Sequence, residues 1–234
     1  MIDLHSHILP GIDDGAKTLA DGVEVVRELA AAGVNDIVAT PHYIEETIYT
    51  SPRKQNLKLI RELRKALAAA GVRVNIYLGN EIYINGEILK LLAAGEISPM
   101  AGSKHLLVEL PMDGDFPNWE DILLALIQAG HQVILAHPER YASVQKDYGI
   151  VDDLVDMGVL LQCNLGSFAG HYGKRAKKTV EKLARDKRIF AMGSDAHRCH
   201  GELWNEGLKR MRKYYSEAEL HDVLVENPRK VLVK

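Results

Sequence analysis

The chain has 234 residues and a formal net charge of −3, and 47% of its residues are hydrophobic while 26% are charged. This composition is typical of a globular protein, and the length predicts one barrel-sized α/β domain or two small domains. The slightly acidic balance excludes a general attraction for nucleic acid or for an anionic membrane surface. No apolar run reaches the ~18 residues that span a bilayer, and the N-terminus lacks a signal-peptide pattern, so we expect no membrane insertion and a cytoplasmic location.

Segments with strand-like and helix-like apolar spacing alternate along almost the whole chain. Helices are predicted at residues 19–32, 52–70, 88–94, 119–129, 149–157, 173–186, 203–214 and 217–226. Strands are predicted at residues 2–7, 36–40, 72–78, 105–110, 132–136, 159–164 and 188–192. Repeated βα units with right-handed crossovers favour a parallel sheet with the helices outside. We therefore predict one α/β domain over residues 1–234, a distorted (β/α)7 TIM-like barrel, with an open doubly wound sheet as the alternative.

Side chains of the types that bind metal ions follow six of the seven predicted strands. His5 and His7 lie two residues apart on the first strand and therefore point to the same face. In a barrel, the C-terminal ends of all strands form one face, where the active site lies. We therefore expect one shared cluster of His5, His7, His42, Glu81, Glu109, His137, Asp195, His197 and either Asp13 or Asp14.

The ligand types in this cluster restrict its chemistry. Imidazole and carboxylate without cysteine suit manganese, iron or zinc, and the number of ligands exceeds the four of one tetrahedral zinc ion. Two or three ions sharing carboxylates are therefore expected, and neighbouring ions can clamp the oxygens of a phosphoryl group. Arg140 follows His137 closely and is a candidate for bidentate phosphate binding. A surface salt bridge between Arg140 and Glu139 is the alternative.

Two common phosphate-binding motifs are absent from the sequence. Neither of the two cysteines is followed by the arginine of a Cys-x5-Arg phosphatase motif. No Gly-x4-Gly-Lys-[Ser/Thr] loop is present either. These absences favour a metal-dependent mechanism over a covalent cysteine mechanism or nucleotide binding through a P-loop.

A local basic cluster stands out from the acidic balance of the chain. Lys174, Arg175, Lys177 and Lys178 lie close together on one predicted helix. Such a run is commonly a solvated helix face. Its alternative role is an electrostatic guide for an anionic substrate.

The motifs resemble those of the PHP superfamily, which begin with His-x-His and end with Asp-x-His. The closer similarity is to the bacterial CpsB/YwqE-type tyrosine phosphatases, and it covers essentially the whole chain. It is carried by the first fifteen residues, Thr-Pro-His at 40–42, Gly-Asn-Glu-Ile-Tyr at 79–83, Ala-His-Pro-Glu-Arg-Tyr at 136–141, Gly-Ser-Asp-Ala-His at 193–197 and Glu-Asn-Pro-Arg-Lys-Val-Leu at 226–232.

This resemblance implies the PHP fold, a manganese-dependent site with three metal ions and activity on phosphotyrosine. The implied substrate is the tail of a membrane-associated bacterial tyrosine autokinase that controls capsule or exopolysaccharide synthesis. Arg140 is implied to contact the phosphate. The resemblance prefers Asp14 to Asp13, which spacing alone does not separate. The implied metal ligands are His5, His7, Asp14, His42, Glu81, Glu109, His137, Asp195 and His197.

The chain departs from many relatives after the Asp-x-His motif, where an arginine followed by prolines is missing. Either Arg198 replaces that arginine or Arg140 acts alone. The hypothesis for the reaction is attack on phosphorus by a metal-activated hydroxide while Arg140 stabilises the phosphate, with His42 or a metal-bound water donating the proton. Tyr43 is a candidate for stacking on a phosphotyrosine ring, although packing in the core is the alternative.

Three other functions fit the same residues. The first two are phosphoesterases of the same fold, a histidinol-phosphate phosphatase and an exonuclease, and the acidic balance argues against the second. The third is a non-catalytic, metal-stabilised module that only binds a kinase. Open positions on the metal ions would distinguish an enzyme from such a module, and sequence does not reveal them.

Overall fold

A curved sheet of short parallel strands lies at the centre of the computed structural model, which describes residues 1–113, 117–198 and 201–232. Each strand is only two to five residues long. The strands in these ranges are β1 (Ile2–Ser6), β2 (Asp36–Ala39), β3 (His42–Tyr43), β4 (Asn75–Leu78), β5 (Glu81–Tyr83), β6 (His105–Glu109), β7 (Gln132–Ala136), β8 (Leu160–Asn164) and β9 (Ala191–Gly193).

The nine strands fill seven positions because two positions are interrupted. Pro41 separates β2 from β3, since proline has no N–H to donate to a neighbouring strand. The neighbouring strand position is interrupted beside Pro41, between β4 and β5. Hydrogen bonds from Gly79 N to Ala39 O (2.9 Å) and from Glu81 N to Pro41 O (3.1 Å) connect the two positions across the break. The seven predicted strand positions are therefore confirmed.

The sheet closes on itself where β9 meets β1. Asp195 N donates to His5 O at 2.8 Å, and His7 N donates to Ala196 O at 3.0 Å. All strand pairs between the remaining positions are parallel. The fold is therefore a distorted barrel, as predicted, and the open doubly wound sheet is wrong.

The helices surround the sheet. Helix α1 begins with a capping box, in which the Thr18 side chain accepts from Asp21 N while Thr18 N donates to the Asp21 carboxylate. No helix in the described part of the chain is long and apolar enough to cross a membrane. The α-helices are α1 (Leu19–Ala31), α2 (Arg53–Ala69), α3 (Ile88–Ala94), α4 (Trp119–Gln128), α5 (Ala142–Lys146), α6 (Gly149–Asp156), α7 (Leu165–Ala169), α8 (Gly173–Arg185), α9 (Gly201–Met211), α10 (Glu217–His221) and α11 (Asn227–Arg229).

Buried apolar side chains lie on both faces of the sheet. One cluster joins strand residues such as Val108 and Leu135 to helix residues such as Leu63. A smaller cluster contains the adjacent strand residues Leu107 and Ile134, whose side chains point to the opposite face and therefore into the barrel. Because both faces are buried, the strands are almost continuously apolar, and polar residues concentrate at their C-terminal ends.

The structure differs from the sequence prediction in several places, and the strand predicted from residue 72 begins only at Asn75. The last strand begins at Ala191 instead of residue 188, because Arg188 N still donates to Leu183 O and Lys187 turns the chain with a φ of +56°. Helices α5 and α7 were not predicted. Both are only five residues long, which is too short for a helical period to be recognised.

Gly22 on α1 provides a test of helix packing against the loop after β1. A Cβ atom at this position would lie 2.4 Å from the carbonyl oxygen of Ile8. We expect Gly22→Ala to lower the free energy of unfolding by about 1–3 kcal/mol, because backbone must move to relieve the overlap. Urea denaturation measures the change. Gly86→Ala is the control, since a Cβ there meets no heavy atom within 4 Å, and equal stability of the two variants would contradict the prediction.

Candidate metal centre

The structure brings the predicted metal-binding side chains together at the C-terminal ends of the strands. Each of them has a nitrogen or oxygen atom within 4 Å of another member. Most are buried, whereas Asp14 is exposed and His42 and His197 are half-buried. The cluster comprises His5, His7, Asp14, His42, Glu81, Glu109, His137, Asp195 and His197.

Glu81 lies at the centre of this cluster. Its Oε2 atom is 3.1 Å from His5 Nε2, 3.2 Å from His7 Nε2 and 3.0 Å from His42 Nδ1. This oxygen is fully buried and has no hydrogen-bond partner among the described residues. The other oxygen, Oε1, lies 2.9 Å from His137 Nε2. One carboxylate is thus surrounded by four imidazole rings, and a buried acceptor without a donor is costly unless a cation compensates it.

The imidazole rings of His5 and His7 face each other through their Nε2 atoms. His5 Nδ1 faces the acceptor oxygen of Gln162 at 2.8 Å, and His7 Nδ1 faces the Asp13 carboxylate at 2.9 Å. When the rings are neutral, as a metal ligand must be, each Nδ1 carries the proton, and two Nε2 lone pairs lie only 3.1 Å apart. Lone pairs this close repel each other unless a cation lies between them. This is the geometry of two ligands of one metal ion.

Asp13 and Asp14 have different partners in the structure, and Asp13 is the one that bonds to His7 Nδ1. Asp13 is buried behind His7, where its other oxygen accepts from Gly15 N at 2.9 Å. Asp14 instead lies 3.1 Å from His197 Nε2 and 3.5 Å from His42 Nε2. Asp14 is therefore the aspartate that could hold a metal ion together with these histidines, whereas Asp13 orients the ring of His7.

Glu109 shows how strongly the cluster favours added positive charge. Burial, followed by the neighbouring Glu81 carboxylate, raises the pKa of Glu109 to about 8. Burial also lowers the pKa of His137 to about 4, so its ring stays neutral near neutral pH. Neutral imidazole and crowded carboxylates are the state in which such groups bind divalent cations. Seven of the nine side chains, all except His137 and Asp195, fall into three overlapping sets that could each hold an ion.

The backbone is strained at two of these residues. His137 and Asp195 have φ angles of +33° and +51°, a region that residues other than glycine rarely adopt. The buried Asp3 carboxylate holds the second turn by accepting from Ser194 N at 2.9 Å and from Ser194 Oγ at 2.6 Å. Burial raises the pKa of Asp3 to about 6. The strained backbone aims both side chains at the cluster.

Arg140 lies beside the cluster and forms a salt bridge with Asp195. One guanidinium nitrogen donates to Asp195 Oδ2 at 2.7 Å, and the guanidinium carbon lies 4.4 Å from the centre of the Tyr172 ring. The Tyr172 hydroxyl and Asn164 Nδ2 donate to the same Oδ2 atom, at 3.2 Å and 2.7 Å. The predicted alternative, a surface salt bridge with Glu139, is wrong because Glu139 is buried against Ser167 and Asn164.

A cavity of about 400 Å³ opens next to Arg140, within the size range of small-molecule sites. Arg198, which is exposed, also lines this cavity. Tyr43 does not: it is only 4% exposed and packs in the apolar core, so its ring cannot stack on a ligand in the cavity. The polar and charged residues that line the cavity include Asp14, Arg140, Tyr172, Asp195, His197 and Arg198. Its apolar lining includes Val25, Leu29, Leu165, Leu203 and Trp204.

The sequence analysis missed the residues that support the ligands. Gln162 and Asn164 lie two residues apart on β8, and Gln162 Nε2 donates to Asn164 Oδ1 at 2.9 Å. Through them β8 contacts His5 and Asp195, although this strand was the one predicted to provide no ligand. The sequence nevertheless contained a signal for these two residues, because two polar residues with i, i+2 spacing in a buried strand point to the same face. It is the same signal that identified His5 and His7.

Comparison of the sequence with known proteins shows the family to which the chain belongs. The family model described as "Capsular polysaccharide synthesis, CpsB/CapC" matches residues 1–233. The chain is 31% identical over 229 residues to the tyrosine-protein phosphatase YwqE of Bacillus subtilis. The aligned region covers 97% of this chain and 89% of the relative. It is 28% identical over 242 residues to the tyrosine-protein phosphatase CpsB of Streptococcus pneumoniae, covering 100% of this chain and 98% of the relative.

Solved structures agree with the sequence comparison. A structure from work on YwqE of Bacillus subtilis and CpsB of Streptococcus pneumoniae, described as unique metal-dependent tyrosine phosphatases, matches with a TM-score of 0.92 and 31% identity. The match covers 99% of this chain and 94% of that chain. A histidinol phosphate phosphatase of Lactococcus lactis matches with a TM-score of 0.58 at 13% identity and shares the fold alone.

Gln162 tests whether the tautomer of His5 matters for metal binding. Gln162→Leu removes the acceptor for His5 Nδ1 while keeping a side chain of similar size. We expect the affinity for Mn²⁺ to fall about 10–100-fold, as is typical when a group that orients a ligand is lost. Titration calorimetry with the purified protein measures this. Gln132→Leu is the control, because the Gln132 side chain donates to Gly158 O at the start of β7, far from the cluster, and equal affinities would contradict the prediction.

Proposed function

This chain belongs to the CpsB/CapC family, and from that premise we propose that it is a metal-dependent protein-tyrosine phosphatase. The observation that carries the proposal is the buried Glu81 oxygen, which lies among three imidazole nitrogens without a hydrogen bond. A cluster built this way fits divalent cations, and it adjoins a cavity that contains an arginine. These are the parts that hydrolysis of a phosphate monoester needs.

The nine clustered side chains are the proposed ligands. Glu81 would be shared between ions, since its two oxygens face different histidines. Manganese is the proposed metal, as two or three ions, with iron and zinc as alternatives that suit the same donors. The chemistry that divalent ions supply at such a site is activation of water as a nucleophile and neutralisation of charge on the phosphoryl oxygens.

Arg140 is the proposed phosphate-binding residue. Only one of its nitrogens bonds to Asp195, and a quarter of the side chain is exposed towards the cavity. The remaining N–H groups can donate to phosphoryl oxygens and stabilise the negative charge that the transferred group carries. Arg198 lines the same cavity and is the proposed second cation, in place of the arginine that relatives carry further along the chain.

Two roles come into question for His42, that of metal ligand and that of proton donor. Its Nδ1 lies 3.0 Å from Glu81 and its Nε2 lies 3.5 Å from Asp14, so both ring nitrogens face carboxylates of the cluster. A neutral imidazole that binds a metal through one nitrogen keeps its proton on the other, and in His42 either nitrogen faces a carboxylate of the cluster. We therefore propose the ligand role for His42 over that of proton donor. A tyrosinate leaving group, whose phenol has a pKa near 10, needs less protonation than an alkoxide.

The apolar part of the cavity lining supports an aromatic substrate. Leu29 and Trp204 line the same cavity as Arg140, which suits a ring that carries a phosphate. Family membership supports a protein substrate connected with capsule or exopolysaccharide synthesis. A membrane-associated tyrosine autokinase, dephosphorylated on its tail, is the proposed partner.

Hydrolysis of a phosphotyrosine peptide tests the proposal directly. We expect activity that disappears with a chelator, returns with Mn²⁺, and exceeds activity on histidinol phosphate and single-stranded DNA. His7→Ala removes one of the two facing Nε2 atoms, so bound Mn²⁺ and activity should both fall by at least tenfold, by metal analysis and phosphate release. The control is His221→Ala, an exposed histidine on α10. A peptide left intact under every metal condition would overturn the phosphatase assignment.

Tyr172 provides a separate test of how Arg140 is positioned. Tyr172→Leu removes the ring under the guanidinium, and we expect kcat/KM for the peptide to fall roughly threefold to thirtyfold, as for loss of a cation–π contact of about 0.5–2 kcal/mol. Tyr172→Phe retains the ring and should largely restore the value. In an Arg140→Ala background, Tyr172→Leu should have no further effect. Equal losses in both backgrounds would show that Tyr172 acts independently of Arg140.

A further inference from the structure

Helix α8 begins directly at the wall of the cavity and carries a group of lysine and arginine side chains there. We call Lys174, Arg175, Lys177 and Lys178 the α8 basic patch. Three of them are exposed and Lys177 is half-buried. The patch contrasts with the chain as a whole, whose formal net charge is −3.

The side chains of the patch have no acidic partner. None of the four makes an ion pair with any residue in the part of the chain that the structure describes. The second half of the same helix differs: Lys182 Nζ lies 3.4 Å from the centre of the Tyr148 ring, and Arg185 lies over Tyr214. Cations in the C-terminal half of α8 are thus used within the fold, whereas those in the first two turns are not.

The position of the patch is also unfavourable for the helix itself. The first turn of α8 contains no acidic residue, and its cations lie at the positive end of the helix dipole. Lys174 and Lys178 are four residues apart, so like charges are neighbours on the helix surface. The adjacent helix α5 adds another exposed cation, Lys146. A charge arrangement that opposes helix stability and has no internal partner fits an external anionic partner.

The patch is continuous with the cavity. His171 and Tyr172 line the cavity and immediately precede α8. Lys174 is two residues beyond Tyr172, so its Cα atom lies within ~7 Å of that of a lining residue. A peptide whose phosphotyrosine enters the cavity next to Tyr172 would therefore pass over the patch within a few residues.

From this juxtaposition we propose that the α8 basic patch binds an acidic segment next to the phosphotyrosine in protein substrates. This inference rests on the proposed phosphatase function and adds a preference among its substrates. The patch attracts the carboxylates of the peptide, raises the rate of encounter and holds the chain beside the cavity. Small aryl phosphates, which have no flanking residues, gain nothing from it.

The test compares three substrates of the manganese-loaded protein. They are a phosphotyrosine peptide flanked by glutamates, the same peptide with glutamines, and p-nitrophenyl phosphate. For the double variant Lys174→Glu/Lys178→Glu we expect kcat/KM for the glutamate peptide to fall about tenfold at low ionic strength, mainly through KM. The effect should shrink as salt is added. The glutamine peptide should change less, and p-nitrophenyl phosphate should not change.

A matched variant controls for overall charge. Arg61→Glu/Lys65→Glu changes the same number of charges with the same spacing on exposed positions of α2, whose C-terminal half lines a separate surface depression. It should leave all three substrates unaffected. If the wild-type protein hydrolyses both peptides equally and the α8 variant changes neither, the patch is only a solvated helix face and the inference is wrong. If no substrate is hydrolysed at all, the proposed function itself fails.

Discussion

The structure of the site depends on one constraint, the burial of the Glu81 carboxylate among four imidazole rings. A buried carboxylate needs hydrogen bonds or a cation, and here one oxygen has no hydrogen bond within the described chain. The histidines cannot all supply protons, because the Nδ1 atoms of His5 and His7 already donate to other groups. Bound cations would satisfy the carboxylate and the facing lone pairs together, and this would explain why these groups lie so close to one another.

That constraint extends outwards through the groups that fix each ligand. Gln162 and Asp13 set the tautomers of the two opening histidines, and Asn164 holds one oxygen of Asp195. Asp3 holds the strained turn before Asp195. These contacts come from β1, β8 and the loops after β1 and β9, so the closed barrel is a requirement of the site. An open sheet would leave β9 and β1 apart and would break the cluster in two.

Most of the cluster could be predicted because strand ends are recognisable in sequence. A buried parallel strand is an apolar run, and a histidine or glutamate just after it belongs to the C-terminal face. Two things were not predictable in the same way. The choice between Asp13 and Asp14 depends on loop geometry, which spacing does not encode. Tyr43 follows a histidine at a strand end, yet burial in the core makes its ring inaccessible, and burial depends on packing between distant elements.

The two oxygens of Asp195 connect the proposed metal site to the proposed phosphate-binding arginine. Its Oδ1 atom faces His5 and His7, while Oδ2 accepts from Arg140, Asn164 and Tyr172. Three donors to one oxygen, one of them a guanidinium, stabilise the ionised form of Asp195. A carboxylate that is always ionised holds the guanidinium against the Tyr172 ring before any substrate arrives. Arg140, as the proposed phosphate-binding residue, would therefore lose little conformational entropy when phosphate binds, and a lysine, with one point charge and no planar fork, could not bond to Asp195 and clamp a phosphate in the same way.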